Sequence, residues 1–342
     1  MSDITQPVRI LISTSHSAHF NLAVEEVIFR NMDPRQTVLF LWRNDNVVVI
    51  GRGQNPWKEC NTRLMEEDDI MLARRHSGGG AVFQDLGNSC FTFMAGKPGY
   101  DRKISTKIVL DALNSLEIPA IDFGRNDIVI EQGDGVRKIS GSAFRERPDR
   151  GFHHGTLLLD VNLDSLAKYL NPDPKKLKAK GITSVRSRVE NLKNLYPNLT
   201  HEDLFEALVQ AFCNHYGVEV TPEYISPDNT PDLPGFEKQY ALQQAWDWNF
   251  GSVMEFSHHL SERFTWGGID LHLNVNRGVI TEAKLFTDSL VLDPLEVLEN
   301  ALPGKRYEPS EIEAMFPPLQ IAAPEFKAPL EELKTWLVNA IK

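Results

Sequence analysis

At its most informative point the sequence reads Arg74-Arg75-His76-Ser77-Gly78-Gly79-Gly80-Ala81-Val82-Phe83. Three glycines without side chains let a ligand approach the backbone, and their successive N–H groups can converge on phosphate or carboxylate oxygens. The two arginines offer planar guanidinium groups that match the same oxygens. A flexible turn beside two solvated arginines fits this stretch equally well. The spacing matches neither a Walker A loop nor a dinucleotide fingerprint, so the standard nucleotide folds are disfavoured.

A lysine lies between two apolar, strand-like runs further along the chain. The two segments are Gly124-Arg125-Asn126-Asp127-Ile128-Val129-Ile130 and Arg137-Lys138-Ile139-Ser140-Gly141-Ser142-Ala143-Phe144-Arg145. Lysine is rarely buried without a partner, so Lys138 is a candidate to hold a carboxylate and a phosphate by its point charge. The alternative is a lysine on an edge strand that points at water.

Two adjacent histidines, His153 and His154, stand at the start of an apolar strand-like run. Adjacent residues on a strand point to opposite faces, so the pair is not expected to share a metal ion. A structural or hydrogen-bonding role is predicted for each. Ser77 has no GxSxG surroundings and no cysteine stands next to a histidine, so the sequence predicts no catalytic triad.

The hydrophobic periodicity predicts a mixed α/β (α+β) fold without steady βαβ alternation. The polar residues 43–46 predict a hairpin between two short strands, and Asn55-Pro56 predicts the start of a helix. The predicted strands cover residues 8–12, 37–42, 47–50, 91–94, 128–130, 156–159, 268–275 and 279–286. The predicted helices cover residues 21–29, 55–65, 105–116, 203–216 and 329–341.

The chain of 342 residues is longer than one typical core, so two domains are expected. A large domain, residues 1–248, is predicted to carry a mixed sheet flanked by helices. A small C-terminal α+β accessory domain is predicted for residues 258–342. The aromatic cluster Trp246, Trp248 and Phe250 closes the first region, and the boundary is predicted near residues 248–258, before a new pattern begins.

Charge and composition exclude several classes of function. The net charge of −11 argues against general nucleic-acid binding, although a local basic cluster, Lys175 to Arg188, is suited to anions or acidic surfaces. The start of the sequence lacks a signal-peptide pattern and no apolar run approaches a membrane span, so a cytoplasmic location is expected. Three widely separated cysteines predict reduced thiols.

Taken in order, these motifs resemble the bacterial two-domain lipoate–protein ligase A family, within the biotin/lipoate protein ligase superfamily. The resemblance covers nearly the whole chain up to about Leu290. The motifs that carry it are residues 41–44, 55–61, 74–83, 124–127, 137–142, 153–159, 181–189, 256–258 and 264–268.

The resemblance implies two reactions. Lipoate and ATP with Mg²⁺ give lipoyl-AMP, and the lysine of an apo lipoyl domain then takes the lipoyl group. The implied acceptors are the E2 subunits of 2-oxoacid dehydrogenase complexes and the H protein of glycine cleavage, in a salvage pathway for free lipoate. A monomer is expected.

The resemblance also assigns residues to this chemistry. Lys138 is the implied catalytic residue, an electrostatic clamp on the lipoate carboxylate and the phosphate rather than a nucleophile. The implied ATP and adenylate contacts are Arg75, Gly80, Ala81, Val82, Phe83, Asn126, Asp127 and Lys138, with Asp127 also as a candidate ligand for Mg²⁺. The predicted lipoate contacts are Trp42, Arg75, Gly79, Gly80, Lys138 and His154, with Ser77 and Arg145 as further polar site residues.

Two residues depart from the family pattern: His76, where a second serine is common, and Gln84, where histidine is common. Both side chains can still donate hydrogen bonds. Trp42 is interpreted equally well as a core residue.

Three alternatives remain. The first is a related octanoyl or lipoyl transferase that works without ATP through a cysteine, but residues 180–186 contain none. The second is a lipoate-binding protein without catalysis. The third is a biotin ligase, loosely echoed by residues 51–55 but disfavoured by the later motifs.

Overall fold

A computed structural model describes residues 8–133, 135–171, 189–230, 233–250 and 258–341. The basic cluster Lys175 to Arg188 and most of the motif at 181–189 lie outside these residues. The chain forms two compact units. Unit 1 comprises Met1–Ile50, Pro56–Ser77 and Ala81–Phe250, and unit 2 comprises Gly51–Asn55, Gly78–Gly80 and Gly251–Lys342.

The strands, in chain order, are β1 (Val8–Ser13), β2 (Thr37–Trp42), β3 (Val47–Ile50), β4 (Met71–Arg74), β5 (Val82–Gln84), β6 (Asn88–Gly96), β7 (Ala120–Phe123), β8 (Asp127–Gln132), β9 (Gly135–Glu146), β10 (Arg150–Leu158), β11 (Glu223–Ile225), β12 (His258–Phe264), β13 (Gly267–Asn276) and β14 (Val279–Thr287).

The helices are α1 (Ala18–Asn31), α2 (Pro56–Glu59), α3 (Thr62–Glu67), α4 (Arg102–Ser115), α5 (Leu163–Tyr169), α6 (Leu192–Leu195), α7 (His201–Tyr216), α8 (Phe236–Gln244), α9 (Trp246–Asn249), α10 (Asp293–Ala301), α11 (Pro309–Glu313), α12 (Phe316–Ala322) and α13 (Lys327–Ala340), with a 3₁₀ turn at Pro324–Phe326. Among the described residues, no helix is both long and apolar enough to span a membrane.

The core of unit 1 is an eight-stranded mixed sheet in the order β11-β1-β2-β6-β10-β9-β8-β7. Strands β11, β1 and β2 are parallel, and the remaining neighbours are antiparallel. Alternate residues serve two cores: Leu39 and Leu41 pack with α4 and α7, whereas Phe40 and Trp42 pack with α1. Both faces of the sheet are covered, which explains why every residue of β2 is buried. The predicted mixed α/β fold is confirmed.

A second, three-stranded sheet of unit 1 has the order β4-β3-β5. The predicted hairpin between β2 and β3 is therefore wrong, because the two strands belong to different sheets. The connection between them is held by the fully buried Asn44, which accepts a 2.9 Å hydrogen bond from Asn21 and donates a 2.8 Å bond to Gln84. The polar residues at 43–46 thus anchor a crossing between sheets.

The predicted helix 55–65 is interrupted. Pro56 does begin α2, but Asn61 caps a separate helix, α3, by accepting a hydrogen bond from the Leu64 N–H. The Asn61 N–H itself donates to the Tyr169 carbonyl at 2.9 Å, so the backbone leaves the helical pattern there.

Unit 2 contains the antiparallel sheet β12-β13-β14 with helices α10 to α13. Residues 268–275 and 279–286 pair as predicted. Buried leucines of α13 (Leu330, Leu333 and Leu337) share one apolar core with Leu271 and Leu273 of β13.

Candidate active site

Five neighbouring strands of the large sheet contribute one residue each to a row across the sheet. The row runs Trp42, Cys90, Thr156, Gly141, Asp127, each directly opposite the next. Directly opposed residues point to the same face, and at about 4.8 Å per strand the row is about 19 Å long. It begins in the buried core beside α1 and becomes half-exposed at Thr156 and Gly141. We call it the acid row.

The adjacent row on the same face contains His154. It runs Phe40, Thr92, His154, Ala143 and lies two residues along each strand from the acid row. His154 therefore shares a sheet face with Asp127. His153 points to the opposite face, where Ser105 lies 2.7 Å from its Nδ1, as the strand alternation predicts.

The acid row ends in an ion pair, because Lys138 Nζ lies 2.8 Å from Asp127 Oδ1. The side chains of Lys138 and Asp127 are 22% and 6% exposed. Lys138 lies on β9, an interior strand between β10 and β8, so the edge-strand interpretation is wrong. The lysine is half-buried and paired with a carboxylate.

A β-bulge turns Lys138 toward this face. Residues three apart on a regular strand point to opposite faces, yet the Lys138 ammonium lies next to Gly141. The register shifts so that Ser140 pairs with Ile128 and Lys138 pairs with Val129. One extra residue is thereby inserted, and the lysine joins the face of Asp127.

Asn126 fixes the turn that leads into Asp127. Its side-chain amide donates a 2.7 Å hydrogen bond to the Ser142 carbonyl, and its own carbonyl accepts a 2.9 Å bond from the Ser142 N–H. Asn126 therefore ties β8 to β9 beside the ion pair. The structure brings together Asn126, Asp127 and Lys138, all three of which the sequence predicted for the site.

A buried hydrogen-bonded chain links the Arg-rich motif to the row of His154. Ser77 Oγ lies 2.7 Å from His154 Nε2, and His154 Nδ1 lies 2.7 Å from Glu25 Oε1. Arg75 Nε donates to Ser77 Oγ at 3.0 Å, and the Thr92 hydroxyl donates to Glu25 at 2.7 Å. With the Ser77 hydroxyl donating to Nε2, the Nδ1 proton goes to Glu25.

This order of groups is the order of a serine-hydrolase triad, which the sequence did not predict. Ser77 is 0% exposed, so no substrate carbonyl reaches its oxygen in this arrangement. The chain of hydrogen bonds instead fixes the guanidinium of Arg75 and the start of the glycine motif. Sequence reasoning missed Glu25, since it lies within an apolar helix pattern where its only signal is a carboxylate among buried residues.

Both arginines of the motif are buried, so the interpretation as solvated arginines is wrong. Arg75 donates to the Val49 carbonyl at 3.1 Å, and burial lowers its pKa to about 10. Arg74 donates to the Trp248 and Asn249 carbonyls at 2.8 Å, and burial lowers its pKa to about 10. Arg74 therefore anchors α9, and Arg75 faces the Ser77 network.

The two residues that depart from the family pattern lie within unit 1 packing. His76 stacks near Trp248, with 4.6 Å between ring centroids, and its Nε2 lies 2.7 Å from the Gln239 amide. Gln84 accepts from Asn44. Both side chains support the scaffold around the motif.

Arg145 donates to Glu26 at 2.8 Å. Burial alone would raise the pKa of Glu26, but the charges of His76, Arg145 and Arg30 outweigh it and lower the pKa overall. Trp42 is 3% exposed, and its indole N–H donates to Thr92 at 3.3 Å. Trp42 is thus a core residue that also begins the acid row.

The glycines of the motif belong to unit 2. The Gly79 N–H donates to the Ser289 carbonyl at 3.1 Å, and Gly79 has φ +91°. A Cβ on Gly78 would lie 2.3 Å from the same carbonyl oxygen, so a side chain is excluded there. Gly78 and Gly79 therefore let this segment pack directly against the backbone of Ser289. The binding roles of Gly79 and Gly80 stay predictions.

After the glycines, Ala81 and Val82 are half-buried, whereas the Phe83 ring packs in the core 5.6 Å from Tyr169. Among the strands that the structure describes, β5 pairs only with β3 and forms an edge of the small sheet. Alternate backbone groups of an edge strand point away from its neighbour and are suited to a ligand. Because the Phe83 side chain is buried, a ligand at this strand would meet its backbone, and the binding roles of Ala81, Val82 and Phe83 stay predictions.

Fold and site together define a two-unit α/β protein in which an apolar row on one sheet face ends in a lysine–carboxylate pair. Comparison with known families identifies the family to which a protein of this class belongs. Residues 17–213 match the family model for the lipoyl protein ligase A/B catalytic domain, and residues 253–337 match the model for the bacterial lipoate protein ligase C-terminus. The chain belongs to the lipoyl protein ligase A/B family.

Solved structures agree with this assignment. P. falciparum LipL1 in complex with lipoate is 33% identical with a TM-score of 0.85, and the match covers 97% of this chain and 99% of that chain. A bi-partite lipoate protein ligase from Thermoplasma acidophilum is 26% identical with a TM-score of 0.62, over 74% of this chain and 100% of that chain. Lipoate-protein ligase A bound with ATP is 26% identical with a TM-score of 0.59, over 72% and 100%.

Proposed function

We propose that this protein activates free lipoate with ATP to lipoyl-AMP and transfers the lipoyl group to the specific lysine of apo lipoyl domains. The observation that carries the proposal is the acid row, which is apolar at Trp42 and Cys90 and ends in the Asp127–Lys138 ion pair. Lipoate has the same polarity, with an apolar dithiolane tail and one carboxylate. Mostly apolar pockets with a few fixed polar groups are the usual sites for such ligands.

In this proposal the lipoate carboxylate lies at Lys138 and the tail extends over Thr156 toward Trp42. The lysine can meet the carboxylate because Gly141, next to its ammonium, has no side chain. Asp127 holds the ammonium in place at 2.8 Å. The related LipL1 was solved in complex with lipoate, which supports lipoate as the acid.

ATP reacts through its α-phosphate. A carboxylate oxygen of lipoate attacks the α-phosphorus, the bond to the β-phosphate oxygen breaks, and pyrophosphate leaves. Lys138 stabilises the negative charge that develops on the phosphate, and the β5 edge supplies further donors. Arg75 is buried and donates to Ser77 and Val49, so it contributes by its positive charge and by fixing the start of the motif. The related lipoate-protein ligase A was solved with ATP bound, which supports ATP as the co-substrate.

Mg²⁺ enters the proposal as part of the co-substrate. Asp127 is the carboxylate that the sequence suggested for the metal, and its Oδ1 lies 2.8 Å from the Lys138 ammonium. Mg²⁺ prefers several oxygen ligands and is commonly held by phosphates with one or two carboxylates. One carboxylate beside an ammonium does not fit a resident Mg²⁺ site, so the phosphates of ATP would carry the ion.

In the second step the acceptor lysine amine attacks the acyl carbon of lipoyl-AMP, an amide forms and AMP leaves. The proposed acceptors are the apo lipoyl domains of 2-oxoacid dehydrogenase complexes and the H protein. A lipoyl domain accompanies the related archaeal ligase in its solved system, which supports this class of partner.

A thiol-dependent transferase is disfavoured by the state of the three cysteines, Cys60, Cys90 and Cys213, all of which are buried. Burial raises the pKa of Cys60 to about 12 and raises the pKa of Cys90 as well. A nucleophilic cysteine needs a lowered pKa and access to substrate.

The deciding experiment incubates the protein with lipoate, Mg²⁺ and ATP labelled at the α-phosphate. We expect lipoyl-AMP and pyrophosphate, followed by a lipoyl mass increase on an apo lipoyl domain only when ATP is present. Lipoylation that proceeds equally without ATP, from an acylated carrier, would establish the transferase instead. If the protein bound lipoate but released no pyrophosphate, the result would instead support a lipoate-binding protein without catalytic activity.

A further inference from the structure

Unit 2 contains a cluster of two histidines and an aspartate outside the proposed active site. His259 on β12 lies directly opposite His272 on β13, and Asp270 lies two residues before His272 on the same strand face. One potential ligand atom from each of the three residues lies within 4.8 Å of the others. We propose that His259, Asp270 and His272 form a binding site for a divalent transition-metal ion, with Zn²⁺ as the best match.

The arrangement of the three side chains carries this proposal. Asp270 Oδ1 is hydrogen-bonded to His259 Nε2 and lies 3.5 Å from His272 Nε2. Ligand atoms about 2.0–2.2 Å from a tetrahedral zinc ion are separated by roughly 3.3–3.6 Å. The distance of 3.5 Å between Asp270 Oδ1 and His272 Nε2 meets this spacing. His259 Nε2 lies in the same cluster of ligand atoms and would exchange its hydrogen bond to Asp270 for a bond to the ion.

The ligand types select the metal. Imidazole nitrogens suit Zn²⁺, Cu²⁺ and Ni²⁺, whereas Mg²⁺ and Ca²⁺ prefer sets made of oxygen alone. Among these ions, zinc accepts two histidines and one carboxylate in tetrahedral geometry with a fourth position left for water. The His259 side chain is 54% exposed, so solvent reaches that fourth position, while Asp270 is only 9% exposed.

The two imidazole rings lie together beside the carboxylate. The rings of His259 and His272 stack with their centroids 4.5 Å apart. A neutral imidazole binds a metal ion through its unprotonated ring nitrogen, so one ion can take a nitrogen from each ring together with an Asp270 oxygen.

The neighbouring charges permit a cation at this position. Lys284 on β14 lies opposite His272, but its ammonium is 2.9 Å from Glu299. The Phe286 ring packs edge-on against His272 at 5.5 Å and fixes the plane of that imidazole. The basic neighbour is therefore neutralised, and one ligand is held by packing.

Strand β12 is an edge of its three-stranded sheet. A metal ion at this site would join β12 to the central strand β13 and stabilise the edge of unit 2. This role does not depend on the proposed ATP chemistry.

The test uses full-length protein without a histidine tag, stripped with EDTA and then titrated with ZnCl₂ in a calorimeter. We expect one high-affinity equivalent of Zn²⁺ and a higher thermal unfolding midpoint when zinc is present. Separate His259→Gln and His272→Gln variants should each weaken that equivalent by at least about tenfold, since even loss of an outer-shell partner costs roughly 10–100-fold.

His258→Gln is the matched control. His258 precedes His259 on β12, so it points to the opposite face and contacts the Tyr307 ring at 4.9 Å. This variant should bind zinc like the unmodified protein. Equal zinc affinity and stoichiometry in the His259, His272 and unmodified proteins would overturn the proposal, as would an unmodified protein that binds no zinc.

Visible absorption of bound Co²⁺ is a second test, which needs only the unmodified protein and therefore does not depend on whether the variants fold. Co²⁺ added to the unmodified protein should give the strong visible absorption of a tetrahedral site, and one equivalent of Zn²⁺ should abolish it. Weak octahedral absorption that zinc leaves unchanged would contradict the three-ligand site.

Discussion

Lys138 is the residue on which the proposed chemistry depends most directly. We expect Lys138→Ala to reduce lipoyl-AMP formation by at least about 100-fold, because removing one preorganised electrostatic group costs that much in comparable sites. The fold should survive, since the side chain is 22% exposed and its loss leaves no core cavity. Pyrophosphate release and circular dichroism measure the two effects.

Lys107→Ala is the control, because Lys107 pairs with Asp111 on the surface of α4 at 2.5 Å. It should retain full activity. Unchanged turnover in the Lys138 variant would remove that residue from the site.

The Ser77 network gives a second prediction at this scale. Ser77→Ala removes the hydroxyl between Arg75 and His154 and leaves two buried nitrogen groups without that partner. We expect a loss of about 1–3 kcal/mol in the free energy of unfolding, measured in urea, together with slower adenylate formation.

Ser140→Ala is the matched buried control. Ser140 is 1% exposed, and its hydroxyl has no hydrogen-bond partner among the described residues. Its removal should be nearly neutral. Equal destabilisation in both variants would show that the loss at Ser77 is not due to its hydrogen bonds.

Individual site residues were predictable only in part. Arg75 was singled out because it stands beside three glycines, and Lys138 because it lies between two apolar strand-like runs, where a lysine needs a partner. Glu25 was missed, since its contacts with His154 and Thr92 come from distant segments. The pairing of Lys138 with Asp127 depends on a bulge, and no spacing rule in the sequence reveals it.

At the scale of one strand, Gly141 leaves room for the Lys138 side chain, and a substitution there tests this role separately from the stability of the fold. A Cβ at this position would lie 2.6 Å from the Lys138 ammonium and 2.9 Å from its Cε, both at the flexible end of a side chain. We expect Gly141→Ala to displace the lysine and raise the KM for lipoate about tenfold or more, while the thermal midpoint changes little. Steady-state kinetics and thermal unfolding provide the comparison.

Gly135→Ala on the same strand is the control, because among the described residues its Cβ would meet only the Arg137 guanidinium, at an ordinary contact distance of 3.5 Å. Kinetics like those of the unmodified protein are expected for it. If Gly141→Ala also kept its KM, the ammonium would not need the position it has in the structure.

The positions of the strands and helices were more predictable from the sequence than the sheets and segments that they pack against. The sequence located β2, β3, β13 and β14 closely, since buried strands are short apolar runs. It placed β2 and β3 in one hairpin because turn composition carries no information about which sheet a strand joins. The break at Asn61 was missed for a similar reason, as the competing partner is the carbonyl of Tyr169, far along the chain.

At the scale of the whole molecule, stability should depend on pH through His153. Burial lowers the pKa of His153 to about 3. Below the ordinary value of about 6.5 the unfolded chain takes up a proton that the folded chain refuses, so stability falls as pH falls from about 6.5 toward 3. The slope is about 1.4 kcal/mol per pH unit.

His153→Gln should remove about 2 kcal/mol of the stability difference between pH 7 and pH 5, as measured by urea unfolding at both values. His201 acts in the same direction, since burial lowers its pKa to about 4. The exposed His215 provides the control substitution. A His153 variant with the unmodified pH dependence would show that this histidine takes up its proton in the folded state.

Chain length and a change in the sequence pattern led to the expectation of two domains. They do not reveal which residues belong to each compact unit. Gly51–Asn55 and Gly78–Gly80 belong with the C-terminal residues rather than with their sequence neighbours. Contacts such as Gly79 to Ser289 decide this, and they join residues about 200 positions apart.

The two ends of the acid row lie on different strands, which bears on how acyl-chain preference could change during evolution. Its apolar end is built from β2 and β6, and its charged end from β8 and β9. If lipoate binds as proposed, substitutions at Trp42 or Cys90 would alter the room for the far end of the acyl chain without touching the Lys138–Asp127 pair. Under that proposal, chain-length preference and activation chemistry would lie on separate strands, and selection could change one while conserving the other.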